Sequence, residues 1–260
     1  MRSAKETKIY YKKMKFSKPV LVVGLPGVGS VGSLVVEHLR SQFKAKKFAT
    51  LYSPHFPYQI VLLKNGAFRM ITNRFYYIKR GKGKRDVILL TGDAQPLSSE
   101  GQYDVNDKIV EFFKLMGGSE IYTIGGFGTG AQYVKSPKVF GLGTDRQAVA
   151  YMKKHGITPT DSLNMAVVGS AGMIVAFARK HGIRASCILG ETGALEVDAN
   201  TAKAVLQALG KLLGMDIKLD DIDKLKAETE RLMKELEDAQ KGAAGQGADR
   251  RPQDTASYIR

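Results

Sequence analysis

Gly27-Val-Gly-Ser-Val-Gly32 has the G-x-G-x-x-G spacing of a turn that can take a phosphate. Glycines between a strand and a helix let backbone N–H groups come close to an anion. The apolar run Pro19 to Val23 before it is short enough for a buried strand, and Val31 to Phe43 after it reads as a helix. The chemistry offered is nucleotide or nucleoside binding by Gly27, Gly29 and Gly32. A dinucleotide site also needs an acidic residue about 20 positions further on, to hold the ribose hydroxyls. No Asp or Glu occurs between Glu37 and Asp86. Basic residues such as Arg40, Lys46 and Lys47 would have to replace the missing acid, in the manner of a site for a 2′-phosphate. The other phosphate loop ends in Gly-Lys-Ser/Thr, and Gly29-Ser30-Val31 stands here instead. The expectation is a strand–turn–helix junction whose glycines serve packing, with no cofactor. An enzyme that binds a nucleotide or nucleoside at Gly27–Gly32 is the alternative.

Other reactive side chains are thinly spread. Lys154-His155-Gly156-Ile157 and Lys180-His181-Gly182-Ile183 each read as a helix end, with cations in the last turn and a glycine taking positive φ. His155 and His181 are therefore expected to be capping or surface histidines rather than catalysts. His38 and His55 lack a carboxylate or cysteine at ligand spacing, so no metal site is expected. The single cysteine, Cys187, lies in the apolar run Ala185 to Leu189 and reads as a core residue. Asp93, Glu191 and Asp198 are the acids placed to reach a crevice at the strand ends. No Ser, His or Lys joins them at a catalytic spacing.

The elements that position these residues alternate strand and helix. Phe48 to Ser53 reads as a strand. Gln59 to Leu63, Asn65-Gly66 and Ala67 to Ile71 form a hairpin signal that Arg74 to Ile78 could extend. Asp86 to Thr91, Glu120 to Ile124 and Ala185 to Leu189 are buried strands. Asp107 to Met116, Asp145 to His155, Met173 to Arg179 and Thr201 to Leu213 are helices. Several strands end in glycine turns, where a doubly wound sheet opens a crevice.

The chain has 260 residues, 43% of them hydrophobic, enough for one substantial core. No apolar run reaches the length of a membrane span, and the charged N-terminus lacks the apolar stretch of a signal peptide. A cytoplasmic location is expected. The net charge is +15, and twelve Lys/Arg with no acid lie between His38 and Arg85. Lys79 to Arg85 is the densest part, beside Phe75, Tyr76 and Tyr77. Without a helix-turn-helix, zinc-finger or RNA-recognition signature, this run reads as a solvated hairpin tip or a surface for acidic proteins, and nucleic acid is not the expected partner.

The C-terminal forty residues differ in kind. Ile222, Leu225, Thr229, Leu232, Leu236 and Ala239 repeat at 3-4-3-4-3 spacing, a narrow apolar seam suited to a partner helix. The competing reading packs this helix on its own domain. From Gly242 the composition turns to Gly, Ala, Gln and charged residues that cannot fold alone, yet the chain closes on Ser257-Tyr258-Ile259-Arg260. The composition reads either as a flexible tether with an apolar tip, its contact residues Tyr258, Ile259 and Arg260, or as a disordered end without a role.

Val22 to Gly32, Leu90-Thr-Gly-Asp-Ala-Gln-Pro96, Val168-Gly-Ser-Ala-Gly172 and Cys187-Ile-Leu-Gly-Glu-Thr192, in that order, resemble the archaeal proteasome assembly chaperone family over about residues 18 to 235. The resemblance implies a single three-layer α/β domain like a nucleoside phosphorylase, without that chemistry. It also implies homo-oligomers, possibly rings. Members of the family bind the proteasome α-ring through tails ending hydrophobic–tyrosine–any residue, with the tail's carboxylate paired to a lysine. Here Tyr258 is third from the end and Ile259 penultimate, which separates aromatic ring and carboxylate by one more residue, about 3.3–3.6 Å of extended chain. Either Ile259 fills the tyrosine slot, or the tail serves another assembly.

The expected organisation is an α/β core over 1–218 with a mixed, mostly parallel sheet, a heptad-like helix over 219–241 and a tail over 242–260. The expected function is non-enzymatic: a chaperone-like, homo-oligomeric scaffold that docks the proteasome α-ring or another protein through its tail. Ile222, Leu225, Leu232 and Leu236 are expected to serve assembly.

Overall fold

The computed structural model describes residues 6–160, 166–193, 195–227 and 231. β1 (Lys8–Tyr11) and β2 (Val20–Val23) lead through a single 3-10 turn into α1 (Val31–Gln42). β3 (Lys46–Tyr52), a hairpin of β4 (Ile60–Leu62) and β5 (Phe68–Met70), β6 (Asn73–Ile78) and β7 (Val87–Gly92) follow. Next come α2 (Ser99–Leu115), β8 (Glu120–Gly128), β9 (Val139–Gly143), α3 (Arg146–Lys154) and β10 (Thr158–Pro159). α4 (Ser170–Lys180), β11 (Arg184–Thr192) and α5 (Ala199–Leu213) close the domain.

One sheet runs β1-β3-β6-β7-β2-β8-β11-β9-β10. Its centre is parallel across β7, β2, β8 and β11, with antiparallel strands on both flanks. The central strands are apolar on both faces because helices cover both. On β2, Leu21 and Val23 face α2 and α4, while Val20 and Val22 face α1 and α5. Ile88 and Leu90 against Val87 and Leu89 repeat the alternation on β7. The expected three-layer α/β fold with a mixed, mostly parallel sheet is borne out.

Three details differ from the sequence reading. Residues 73–78 do not extend the hairpin; they enter the large sheet between β3 and β7, and β4–β5 stands as a separate two-stranded ribbon. α2 begins two turns earlier than its apolar periodicity, capped by Ser98, whose hydroxyl accepts from Gly101 N–H at 3.0 Å. Gly101 obscures that start, and packing requires it, since a Cβ there would lie 2.4 Å from His55. β1 was not foreseen and pairs with β3 at the sheet edge.

Candidate functional site

The loops leaving β2 and β7 turn to opposite faces of the sheet, the topological switch at which α/β sheets open a crevice. A cleft of about 280 Å³ lies there. Its rim comprises Gly27 and Val28 after β2, Gln95 after β7, the glycines Gly125, Gly126 and Gly128 of β8, and Val167, Val168, Ser170 and Ala171 around the start of α4. Among the described residues lining it, no side chain is titratable; Gln95 and Ser170 are its polar side chains.

The glycine turn supplies this rim by folding tightly on its own neighbours. Gly29 has φ +63°, and a Cβ there would lie 2.6 Å from Thr192 Oγ1. A Cβ on Gly32 would lie 2.7 Å from the carbonyl oxygen of Ile124, and one on Gly126 would lie 2.2 Å from that of Val28. These glycines bring α1, β8 and the turn into backbone contact. Gln95 then ties the turn to α4: its amide donates to the Pro26 carbonyl at 2.7 Å and accepts from Ser170 N–H at 2.8 Å. That side chain was not foreseen. Its partners lie 69 and 75 residues away in sequence, so no local pattern reveals it.

The three acids expected in the crevice are placed elsewhere. Asp93 accepts from Arg69, Arg74 and the Thr72 N–H. Burial raises its carboxyl pKa, but these hydrogen bonds and the two guanidinium charges outweigh burial and hold it below the usual carboxylate range. Glu191 accepts from Lys138 N–H at 3.0 Å. Asp198, fully buried, caps α5. Arg40, Lys46 and Lys47 also miss the cleft. Arg40 pairs with Glu37 and lies over the Tyr76 ring, about 14 Å along α1 from the helix start at the rise of an α-helix.

The remaining candidates are structural where they are described. Gly156 and Gly182 take the expected positive φ, +84° and +71°, after helix ends carrying the expected cations. His181 also pairs with Asp107 at 2.5 Å. Glu111 lies close to this pair, and Lys180 already balances Asp107 at 3.1 Å. Cys187 is buried, and desolvation pushes its thiol up to about 11 despite a hydrogen bond with Thr123. In the basic run, Lys79 pairs with Asp86 and Arg85 with Glu120, while Arg80 donates to the Leu213 and Gly214 carbonyls at the end of α5. Three of its cations thus hold the fold together.

Residues 220–227 are helical. Ile222 is buried among α1 and α5 side chains, Leu225 packs against the same cluster, and Lys203 pairs with Asp223 at 2.5 Å. The beginning of the heptad seam therefore seats on the chain's own body. Leu232, Leu236, Tyr258, Ile259 and Arg260 lie outside the described residues. No helix among the described residues is long and apolar enough to cross a membrane.

If the glycines serve packing, millimolar ATP, NAD or NADP leaves the melting temperature unchanged. A true site at 100-fold ligand excess over its Kd would add about 2.7 kcal/mol. A reproducible rise of several degrees with any of the three would restore the nucleotide reading.

The model of the PAC2 family matches residues 21–237. The chain is 36% identical over 222 residues to the uncharacterised protein MJ1210 of Methanocaldococcus jannaschii, covering 84% of each. It is similar to the crystal structure of Pyrococcus furiosus PbaB, described as an archaeal proteasome activator, with 36% identity, a TM-score of 0.84 and coverage of 90% of this chain and 99% of that one. Pyrococcus furiosus PbaA, described as an archaeal homolog of proteasome-assembly chaperone, shares the fold at 20% identity, with a TM-score of 0.72 and coverage of 93% and 98%.

Proposed function

The chain belongs to the PAC2 family, and from that premise we propose that it is a non-enzymatic, homo-oligomeric proteasome assembly chaperone-like protein of the cytoplasm that docks its partner through Tyr258, Ile259 and Arg260. The likeness to PbaB over nearly the whole chain carries this reading. Two features of the site support it. The switch-point cleft is lined mostly by backbone and apolar groups, and its described polar side chains, Gln95 and Ser170, have no titratable side chain beside them in the lining. Two of the three glycines that resemble a phosphate loop, Gly29 and Gly32, are occupied by contacts within the chain. A protein of this kind acts by presenting surfaces, and a polar, glycine-rich stretch followed by Tyr258-Ile259 is a peptide able to enter a groove on another body.

A single tip of this size binds weakly, because ordering the tether costs entropy. Several tips on one oligomer make later contacts intramolecular, and avidity then rises by about 10²–10⁴-fold. Deletion of Tyr258 to Arg260 is therefore expected to abolish capture of 20S proteasome purified from the same cells, while mass and melting temperature stay constant. Adding one residue after Arg260 distinguishes two modes of docking. It ruins a pocket that reads a terminal carboxylate and leaves a groove that reads Tyr258 and Ile259 intact. Capture of the proteasome at wild-type affinity by the deleted protein would defeat tail docking. Failure of the full-length protein to bind the proteasome would point to a scaffold for another assembly, in line with the shifted tyrosine.

A further inference from the structure

The ribbon of β4 and β5 presents its apolar residues the wrong way round for a solvated hairpin. Its register pairs Ile60 with Met70, Val61 with Arg69 and Leu62 with Phe68. Side chains alternate between faces along each strand, so Val61 and Arg69 share one face and the other four share the opposite one. The Val61–Arg69 face looks inward: Val61 packs against the core, and Arg69 grips Asp93 with two hydrogen bonds of 2.5 and 2.9 Å. Outward, Ile60, Leu62, Phe68 and Met70 are 52%, 75%, 65% and 53% exposed, and Tyr58, in line with them, is exposed as well. A two-stranded ribbon is marginal in water on its own, and contiguous apolar surface of this kind marks an interface.

We propose that this face is covered by a second copy of the same chain. Three observations select that occupant. Covering the five residues removes on the order of 800 Å² from each copy, the per-partner share of a standard specific interface. Charge also allows it. The chain carries +15 overall, so two copies can approach closely only where cations are absent. Between Pro57 and Ile71 the charged residues are Lys64 in the turn and Arg69, which faces inward to Asp93. An acidic partner would be selected by cations that this face lacks. Finally, a groove of about 450 Å³, floored in part by Phe56 and Ile71, lies at the foot of the same ribbon. Raised tip and groove are of like chemistry on one molecule, the complementarity that self-association requires. The proposal rests on the homo-oligomeric part of the reading above and assigns it a surface distinct from the tail.

The test is the mass of the full chain by light scattering, with and without Leu62→Lys and Phe68→Lys together. Both side chains are exposed, so the far-UV circular dichroism should stay unchanged while the mass falls to a smaller species. In a parallel experiment Leu62→Cys is labelled with a bulky maleimide; native Cys187 is buried and stays silent. Labelling should be at least tenfold slower in the otherwise native assembly than in a Phe68→Lys background. A single-chain mass for the wild type would overturn the proposal and leave the face to a different protein. An unchanged mass for the double variant would overturn it by placing the contact elsewhere. Should the double variant not fold, labelling at the rate of a free exposed thiol in the native assembly overturns it as well. Tail docking is read separately: deleting Tyr258 to Arg260 leaves mass and labelling unchanged, whichever way proteasome capture turns out.

Discussion

Gly24→Ala is expected to destroy the folded domain, although Gly24 stands outside the G-x-G-x-x-G spacing. A Cβ at this position would lie 1.9 Å from the Gly32 carbonyl oxygen and 2.5 Å from its carbon. The Cβ is fixed by the main chain just after β2, and the atoms it meets are main chain in the first turn of α1, so neither yields by changing a rotamer. Overpacking of side chains costs about 1–3 kcal/mol, and a clash of two main chains should exceed the top of that range. Gly27→Ala makes the opposite case. Gly27 is extended, at φ −174°, and a Cβ there would meet Gln95 Nε2 at 3.4 Å, an ordinary contact. It should cost less than about 1 kcal/mol. Chemical denaturation of the two variants measures the difference. A Gly27→Ala protein less stable than Gly24→Ala would mean that the turn is not packed in this way.

That contrast explains how much of the site was legible. The glycine spacing announces a tight strand–turn–helix junction, and the lack of an acid between Glu37 and Asp86 argues against a ribose. Neither observation says which glycine touches what, because the atoms that crowd Gly29, Gly32 and Gly126 come from Thr192, Ile124 and Val28. Helix ends were more readable. A C-cap is local chemistry, and both His-Gly steps turn as their composition requires. The hairpin was legible as a hairpin through Asn65-Gly66. Its inverted polarity was not, since Ile60-Val-Leu-Leu63 is apolar on both faces and only Arg69 meeting Asp93 decides which face turns inward. The seam was half legible. Its 3-4 spacing finds a helix, but the same pattern serves a partner or the chain's own core, and Ile222 enters the core.

Asp198→Ala is expected to cost about 3–5 kcal/mol, through loss of a buried acceptor and of a helix cap. Asp198 is fully buried. Its carboxylate accepts from the Thr192 hydroxyl at 2.6 Å and from Thr201 N–H at 2.9 Å, and it lies 2.9 Å from the Thr201 hydroxyl. Its own N–H donates to the Gly29 carbonyl at 2.9 Å. The end of β11, the start of α5 and the glycine turn thus converge on one side chain. Alanine strands the Thr192 hydroxyl and uncaps α5. Asn should be milder, at about 1–3 kcal/mol, because its oxygen keeps the cap to the Thr201 N–H while its NH2 group offers the Thr192 hydroxyl a donor in place of an acceptor. The Thr201 hydroxyl also reaches the Glu191 carbonyl at 2.7 Å, so its one proton can go there while its oxygen accepts from the new amide. Equal destabilisation by Ala and Asn would show that the charge, rather than the hydrogen bonds, holds the site. The prediction bears on function because a dinucleotide turn uses its acid to hold a ribose. The acid closest to this glycine turn holds two threonines of its own chain, and a ligand would have to displace them first. A turn sealed from within is a rigid mount, and it leaves recognition to the surfaces around it.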